Sequence, residues 1–406
     1  MKIIHTSDWH LGQKFLHNER EEEHRLALDW LLGIIEEEQA DGLLVSGDIF
    51  DTGNPPNYAR RLYYRFLRKL LRTSCRHIVI TGGNHDSPAM LNAPSELLKA
   101  LSVHVIGAAG QSPEEEVVEW RNEAGDLEAV IAAVPFLRDR DLRYSVAGET
   151  GLDRSERIRQ GIQRHYEQLA EYIQSGYDTG HVPVVAMGHL YATGAQASAK
   201  QDNIYIGNIE NIDAAQFPKL YDYVALGHIH RAQMVGEREQ LRYSGSLIPL
   251  SFSETKDDKS VYLLDFSGKT LQRTQTIAVP TFRRLKTITG PLEEVKASLD
   301  RFAAKERKGL TPWVEVQVEL DRLLPQLSQL LQEYTAGMNL ELLKIRTRYP
   351  KRHRRHEGQA PDLDSLAAEE VFRMKCESYG SPPEDMDRLV DTFRELQTWM
   401  AEEWEG

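Results

Sequence analysis

Short apolar runs alternate along the first 280 residues with longer stretches whose apolar positions recur every three or four residues. Residues 2–6, 42–46 and 76–81 read as buried strands. Residues 22–38 and 58–72 read as helices between them, with Leu26, Trp30 and Ile34 at helical spacing. Further strands are predicted at 129–134, 183–187, 223–226, 241–244 and 260–266. This order predicts an α/β layered domain over 1–280, strands inside and helices outside.

A smaller unit is predicted at 281–349: strand 283–288, helix 292–305, strand 313–320, helix 323–334, strand 340–349. In its middle strand Val314, Val316, Val318 and Leu320 alternate with Glu315, Gln317 and Glu319, giving one buried and one wet face. Lys344, Arg346 and Arg348 occupy the wet positions of the last strand, so that face reads as basic. A polar, proline-bounded stretch at 350–365 reads as a linker. A helical tail at 366–406 follows, with helices at 366–379 and 384–404 divided by Gly380-Ser-Pro-Pro383.

Charge changes this picture. The net charge of −13 argues against a uniformly nucleic-acid-coated surface, yet residues 281–356 carry 16 basic and 9 acidic side chains. One basic block in an acidic chain points to a partner bound locally. Cys75 and Cys376 form no C-x-x-C pattern, no run is long enough to span a bilayer, and no signal-peptide pattern precedes Ile3. A cytoplasmic protein is therefore expected.

The strand ends carry the chemistry. Asp8 and His10 follow the first strand, Asp48 and Asp51 the second, and Asn84, His85 and Asp86 the third. His189 follows the strand at 183–187, and His228 and His230 follow the strand at 223–226. One Asp after a strand usually caps a turn, and one His is usually packed or solvated. Five such ends, four preceded by glycine, are hard to obtain as turns, and in an α/β sheet such ends gather on one edge. The donors are imidazole, carboxylate and amide without cysteine. That set suits borderline-to-hard divalent ions such as manganese or iron, with zinc and magnesium also compatible. The mixture Asp, His, Asp, Asn, His, His, His among these strand ends offers seven ligands, which suit two ions sharing a carboxylate that together clamp the attacking and leaving oxygens of a displacement at phosphorus.

In this order, D-x-H, G-D-x-x-D, G-N-H-D, G-H and G-H-x-H resemble the signature of the calcineurin-like metallophosphoesterases, over about residues 1–270. Ser7-Asp8-Trp9-His10-Leu11-Gly12, Gly47-Asp48-Ile49-Phe50-Asp51-Thr52 and Pro55-Pro56 resemble the branch of bacterial nucleases that work with an SbcC-type ATPase. The resemblance implies a metallophosphoesterase β-sandwich flanked by helices, a small α+β capping domain at 281–349 and a partner-binding tail. It implies one ion on Asp8, His10, Asp48 and His230, and a second on Asp48, Asn84, His189 and His228, most readily Mn²⁺. It makes His85 the catalytic histidine that protonates the leaving oxygen, and Asp86 the group holding its ring. Asp51 reads as a turn cap or a support rather than a ligand, and Thr52-Gly53 after it departs from the protein-phosphatase pattern.

For the cap, Arg283, Arg284, Lys286, Lys344, Arg346 and Arg348 are candidate DNA-phosphate contacts. On the last helix Met386, Leu389, Phe393, Leu396 and Met400 form a stripe at 3-4-3-4 spacing. Such a stripe can fold back on its own core or dock on another protein, and docking is preferred. The resembled branch implies that this tail binds the SbcC-type ATPase, in a dimer of heterodimers (a heterotetramer) associated with the nucleoid. Its homodimer contacts would fall on 58–72 and 94–101. The chain has no G-x-x-x-x-G-K-[ST], so ATP dependence would come from the partner. The expected activity is a two-metal DNA phosphodiesterase, a 3′→5′ double-strand exonuclease and single-strand or hairpin endonuclease serving double-strand-break repair, recombination and replication. The alternatives are a stand-alone phosphoesterase for small phosphodiesters or phosphomonoesters, and a scaffold that has lost catalysis.

Overall fold

The computed structural model describes residues 1–142, 151–193, 195, 211–305, 309–321, 324, 326–349, 368–379 and 386–395. Residues 1–349 form one compact unit and 350–406 a second.

Two six-stranded sheets make the body of the first unit. In one, Lys2–Thr6 is central, parallel to Gly42–Ser46 on one side and antiparallel to Ser260–Ser267 on the other. His77–Thr81 and Val103–Ile106 extend the parallel side, and Thr270–Ala278 closes the antiparallel edge. In the other, Val184–His189 and Tyr223–Gly227 are adjacent and parallel, flanked by Leu127–Ala133 and Arg238–Tyr243.

Strand side chains alternate between faces, and the burial follows that alternation. Ile3, Leu44 and Val79 point between the sheets, against Ile131, Val185, Met187 and Ala225. Ile4, Leu43, Val45 and Ile80 point outward, under the helices Glu21–Glu37 and Asn57–Leu70. The outer face of the second sheet is covered by Gly151–Gly176, through Ile158, Ile162, Tyr166, Leu169 and Ile173. The result is the expected layered β-sandwich with helices on both faces. The helix Gly151–Gly176 is an addition to the sequence expectations, although its buried residues recur at helical spacing.

A three-stranded parallel sheet, Arg283–Pro291, Leu310–Glu319 and Glu341–Arg348, follows within the same unit. The crossover helices Leu292–Ala303 and Leu327–Thr335 bury Val295, Leu299 and Leu331 against Val314, Val316 and Val318. In the second unit Ala368–Tyr379 pairs with a helix at 386–395. Phe372 stacks on Phe393 at 4.3 Å, Val390 is buried, and Arg394 Nη2 lies 2.9 Å from Glu369. Among the described residues no helix is long and apolar enough to cross a membrane.

Candidate metal centre

The strands Lys2–Thr6, Gly42–Ser46, His77–Thr81, Val184–His189 and Tyr223–Gly227 end at one edge, each delivering its polar residues at or just past its last position. The turns that follow are constrained. Asp8, His10, Asp48 and His228 all have left-handed backbone, with φ of 52°, 45°, 50° and 99°. Such conformations cost free energy for residues with a Cβ and persist where surrounding contacts enforce them. Here the amides of Asp8 and His10 bond to the carbonyls of Gly47 and Asp48 at 3.1 and 3.0 Å. Gly83 is required by proximity rather than by a positive φ, because a Cβ there would land on Asp48 Oδ1.

All seven candidate ligands converge. Asp8, His10 and His230 offer atoms within 4.8 Å of one another, as do Asp8, Asp48 and His189. Asp48 Oδ2 stands between the groups, 3.4 Å from His10 Nε2 and 3.3 Å from His189 Nε2. Asn84 Oδ1 lies 3.0 Å from both His189 Nε2 and His228 Nδ1. His85 is exposed at the mouth, its ring 4.9 Å from that of His10.

The donor set fits cations. His10 Nε2 is buried without a hydrogen bond and faces the cluster. Burial would lower the His10 and His189 imidazoles, yet Asp51, Asp48 and Asp8 raise His10, and Asp48 and Asp8 raise His189, each to about 9. Burial opposes ionisation of Asp48, but His189 and His10 hold its carboxyl well below the usual range. Burial and neighbouring His189 keep His228 well below the ordinary histidine value. The neighbouring carboxylates thus favour positive charge at these positions, which suits divalent cations.

The supports include residues the sequence did not reveal. His189 Nδ1 donates to the Ser46 carbonyl at 3.0 Å. His230 Nδ1 lies 3.5 Å from Glu254 Oε1, and buried Lys259 donates to Glu254 Oε2, Ser246 Oγ and the His230 carbonyl. Glu254 is held low by Lys259 and His230 despite its burial. Phe136 lies against His189 and His228. Glu254, Lys259 and Phe136 sit in no recognisable motif.

Two expectations need correcting. Asp86 does not hold the His85 ring. Its carboxylate accepts the amides of Gly83, Ile49 and Phe50 at 2.8, 3.0 and 2.9 Å, and His85 Nδ1 instead meets the Asp51 carbonyl at 2.8 Å. Arg283 does not face outward for a phosphate. Its side chain is 12% exposed, lies 3.4 Å from Glu23 Oε2 and stacks on Trp313.

The other basic candidates divide. The sheet register sets Glu315 opposite Lys344, Gln317 opposite Arg346 and Glu319 opposite Arg348. Lys344 and Arg346 therefore lie 3.8 and 3.0 Å from Glu315, and Arg348 lies 3.6 Å from Glu319. Arg284 and Lys286 have no ion-pair partner among the described residues. They line a groove of about 460 Å³ with Arg301 and Lys305, and also a cleft of about 1030 Å³ running to Lys256 and Lys259. In the tail Phe393 stacks on Phe372 between the two helices, Met386 and Leu389 are half-buried, and Leu396 and Met400 fall outside the described residues.

Residues 1–232 match the calcineurin-like phosphoesterase family, and residues 281–379 match the family described as type 5 capsule protein repressor C-terminal domain. The chain is 36% identical to the SbcD component of the SbcCD nuclease of Escherichia coli K12 over the full length of both. It is 34% identical to the corresponding protein of Rhodobacter capsulatus, covering 92% of this chain and 93% of the relative. It is 30% identical to that of Bacillus subtilis, covering 99% of each. With the ligand geometry in place and the similarity running end to end, the chain belongs to the calcineurin-like phosphoesterases, in the group of the SbcD components of SbcCD nucleases.

Proposed function

We propose that this chain is a metal-dependent DNA nuclease acting with an SbcC-type ATPase. The convergence of Asp8, His10, Asp48, Asn84, His189, His228 and His230 beneath exposed His85 carries that reading. Two divalent ions, Mn²⁺ by preference, would be held by Asp8, His10, Asp48, Asn84, His189, His228 and His230. When bound they would supply Lewis acidity and a nucleophilic oxygen at neutral pH.

The chain's own groups do the rest. The Asp51 carbonyl can only accept, so the His85 proton facing it sits on Nδ1. Protonated at Nε2 as well, His85 can deliver that proton to a leaving oxygen, and the Asp51 contact keeps the ring aimed. Asp86 holds the two loops that present Asp48 and His85. Arg284 and Lys286 supply phosphate contacts, with 281–349 acting as the cap. The activity is 3′→5′ exonuclease on duplex ends and endonuclease on hairpins or single strands, serving break repair, recombination and replication. A homodimer through the segments 58–72 and 94–101, where Tyr64, Leu71 and Leu97 are exposed, would sit within a heterotetramer on the nucleoid. The tail helices would dock on the ATPase.

The test is cleavage of linear duplex and hairpin DNA in Mn²⁺, with and without an SbcC-type ATPase. Cutting should stop with chelator and in His85→Gln while that variant still binds metal. Turnover of mononucleotides alone would instead favour a stand-alone phosphoesterase.

A further inference from the structure

Shortly after metal candidate His10 the chain makes a short hairpin, pairing Lys14 with Glu19 and Phe15 with Asn18. Its two central residues, Leu16 and His17, have φ of 52° and 86°. A two-residue turn with both φ positive is normally made by Asn-Gly or Asp-Gly, so Leu-His carries a conformational cost here. Leu16 is 37% exposed and gains little burial in return. The hairpin's product is the position of Phe15.

Phe15 is 3% exposed and lies in a cage drawn from separate parts of the chain. Trp313 of the small sheet is 5.3 Å from it, Phe252 is 5.0 Å away, and the Arg20 guanidinium stands 5.3 Å above its ring. Leu285 of the small sheet completes the cluster. Around it runs a buried polar frame. Arg20 bonds both oxygens of Glu23, Gln13 Oε1 and the Pro249 carbonyl. Glu23 also faces Arg283, which stacks on Trp313 at 4.0 Å. Gln13 is tied by its amide to the His10 carbonyl at 3.0 Å and by its side chain to Leu250. A continuous set of contacts thus runs from His10 through Gln13, Arg20 and Phe15 to Trp313.

We propose that Phe15 and Trp313 are positioning residues that hold the small sheet in register with the metal centre, and so set the preference for polymeric over small phosphodiesters. This rests on the DNA-nuclease reading. A small diester needs only the metal edge, whereas a duplex must meet the edge and Arg284 and Lys286 at a fixed separation. Loss of the ring contact would leave the ligands intact while the sheet shifts.

The experiment compares the full-length chain with Phe15→Ala, Phe15→Leu, Trp313→Leu and Trp313→Phe. Each is assayed on duplex DNA and on bis(p-nitrophenyl) phosphate in Mn²⁺, with Mn²⁺ affinity measured by calorimetry. Phe15→Ala and Trp313→Leu should raise the DNA KM roughly tenfold or more, the loss of about 1.4 kcal/mol of phosphate contact. Small-diester kcat/KM and Mn²⁺ affinity should stay within about twofold, additive variants being the expectation for separate sites. Trp313→Phe, which keeps a ring, should restore most of the DNA KM. Phe15→Leu, chosen to survive if Phe15→Ala does not fold, should show an intermediate rise. Unchanged DNA KM in the folded variants, or equal loss on both substrates, overturns the proposal. A wild-type chain that cuts the small diester but no DNA would remove the nuclease reading instead.

Discussion

Asp51 touches both halves of the chemistry. Its carbonyl meets His85 Nδ1 at 2.8 Å, and its carboxylate lies 3.1 Å from His10 Nδ1. One turn residue therefore sets the ring of a candidate ligand and the ring of the candidate proton donor. Asp51→Ala keeps the carbonyl and removes the carboxylate that partners His10. Mn²⁺ affinity should fall by about 10–100-fold, the usual effect of losing a ligand's hydrogen-bond partner, while the His85 tautomer persists. Calorimetry measures the first and histidine ¹⁵N shifts the second; an unchanged affinity contradicts this role for Asp51.

Asp86 acts on the backbone rather than on His85, so its loss should appear first in stability. Asp86→Asn turns one acceptor into a donor facing buried amides, at a cost of about 1–3 kcal/mol. A thermal melt in chelator tests this. A variant with wild-type stability and lost activity would restore the ring-orienting role.

Lys259 and Glu254 are both nearly fully buried, 2.7 Å apart, behind His230. Lys259→Met leaves a buried carboxylate without its cation and should destabilise by about 3–5 kcal/mol. Glu254→Gln added to it should recover part of that loss, since no lone charge then remains. Chemical denaturation of the three variants decides. Additive losses would mean the pair is not coupled.

Buried His5 meets the Tyr223 hydroxyl at 3.0 Å, and burial lowers its pKa to about 3, against an opposing contact with the Leu226 backbone. Unfolding restores an ordinary value near 6.5, so the unfolded chain binds the extra proton between the two. The stabilising effect is complete above about pH 6.5 and is lost as pH falls toward about 3. His5→Leu should therefore flatten the acid limb of metal-free stability by about 1.4 kcal/mol per pH unit between about pH 6 and 4. Parallel wild-type and variant curves would contradict the assignment.

The small sheet's cations should differ in value to DNA. Removing Arg284 or Lys286 should reduce the slope of log affinity against log salt by about one. Arg346→Ala should change it much less, because Glu315 already holds that guanidinium at 3.0 Å. Fluorescence anisotropy over a salt series measures both. Equal slope changes would mean that Glu315 releases Arg346 to the phosphates.

Strands and helices were legible because each buries one set of side chains, and the spacing of apolar residues records which. Ile3 and Ile4 already declare opposite faces. The positions of the candidate ligands were legible for a related reason: parallel strands collect their ends at one edge, so Asp8, Asp48 and Asn84 had to approach one another in one sheet and His189 and His228 in the other, and the packing of the two sheets then joined the groups. Contacts made through the backbone left no mark. Nothing in Asp51-Thr52 announces a carbonyl aimed at His85, and neighbouring Asp86 was the natural but mistaken choice. Nor does the order of residues show Glu254 behind His230, Glu315 against Arg346, or Phe15 against Trp313. Local chemistry and periodicity are written in consecutive residues. The pairing of groups tens or hundreds of positions apart exists only once the sheets, their register and the docking of the small sheet have brought them within a few ångströms.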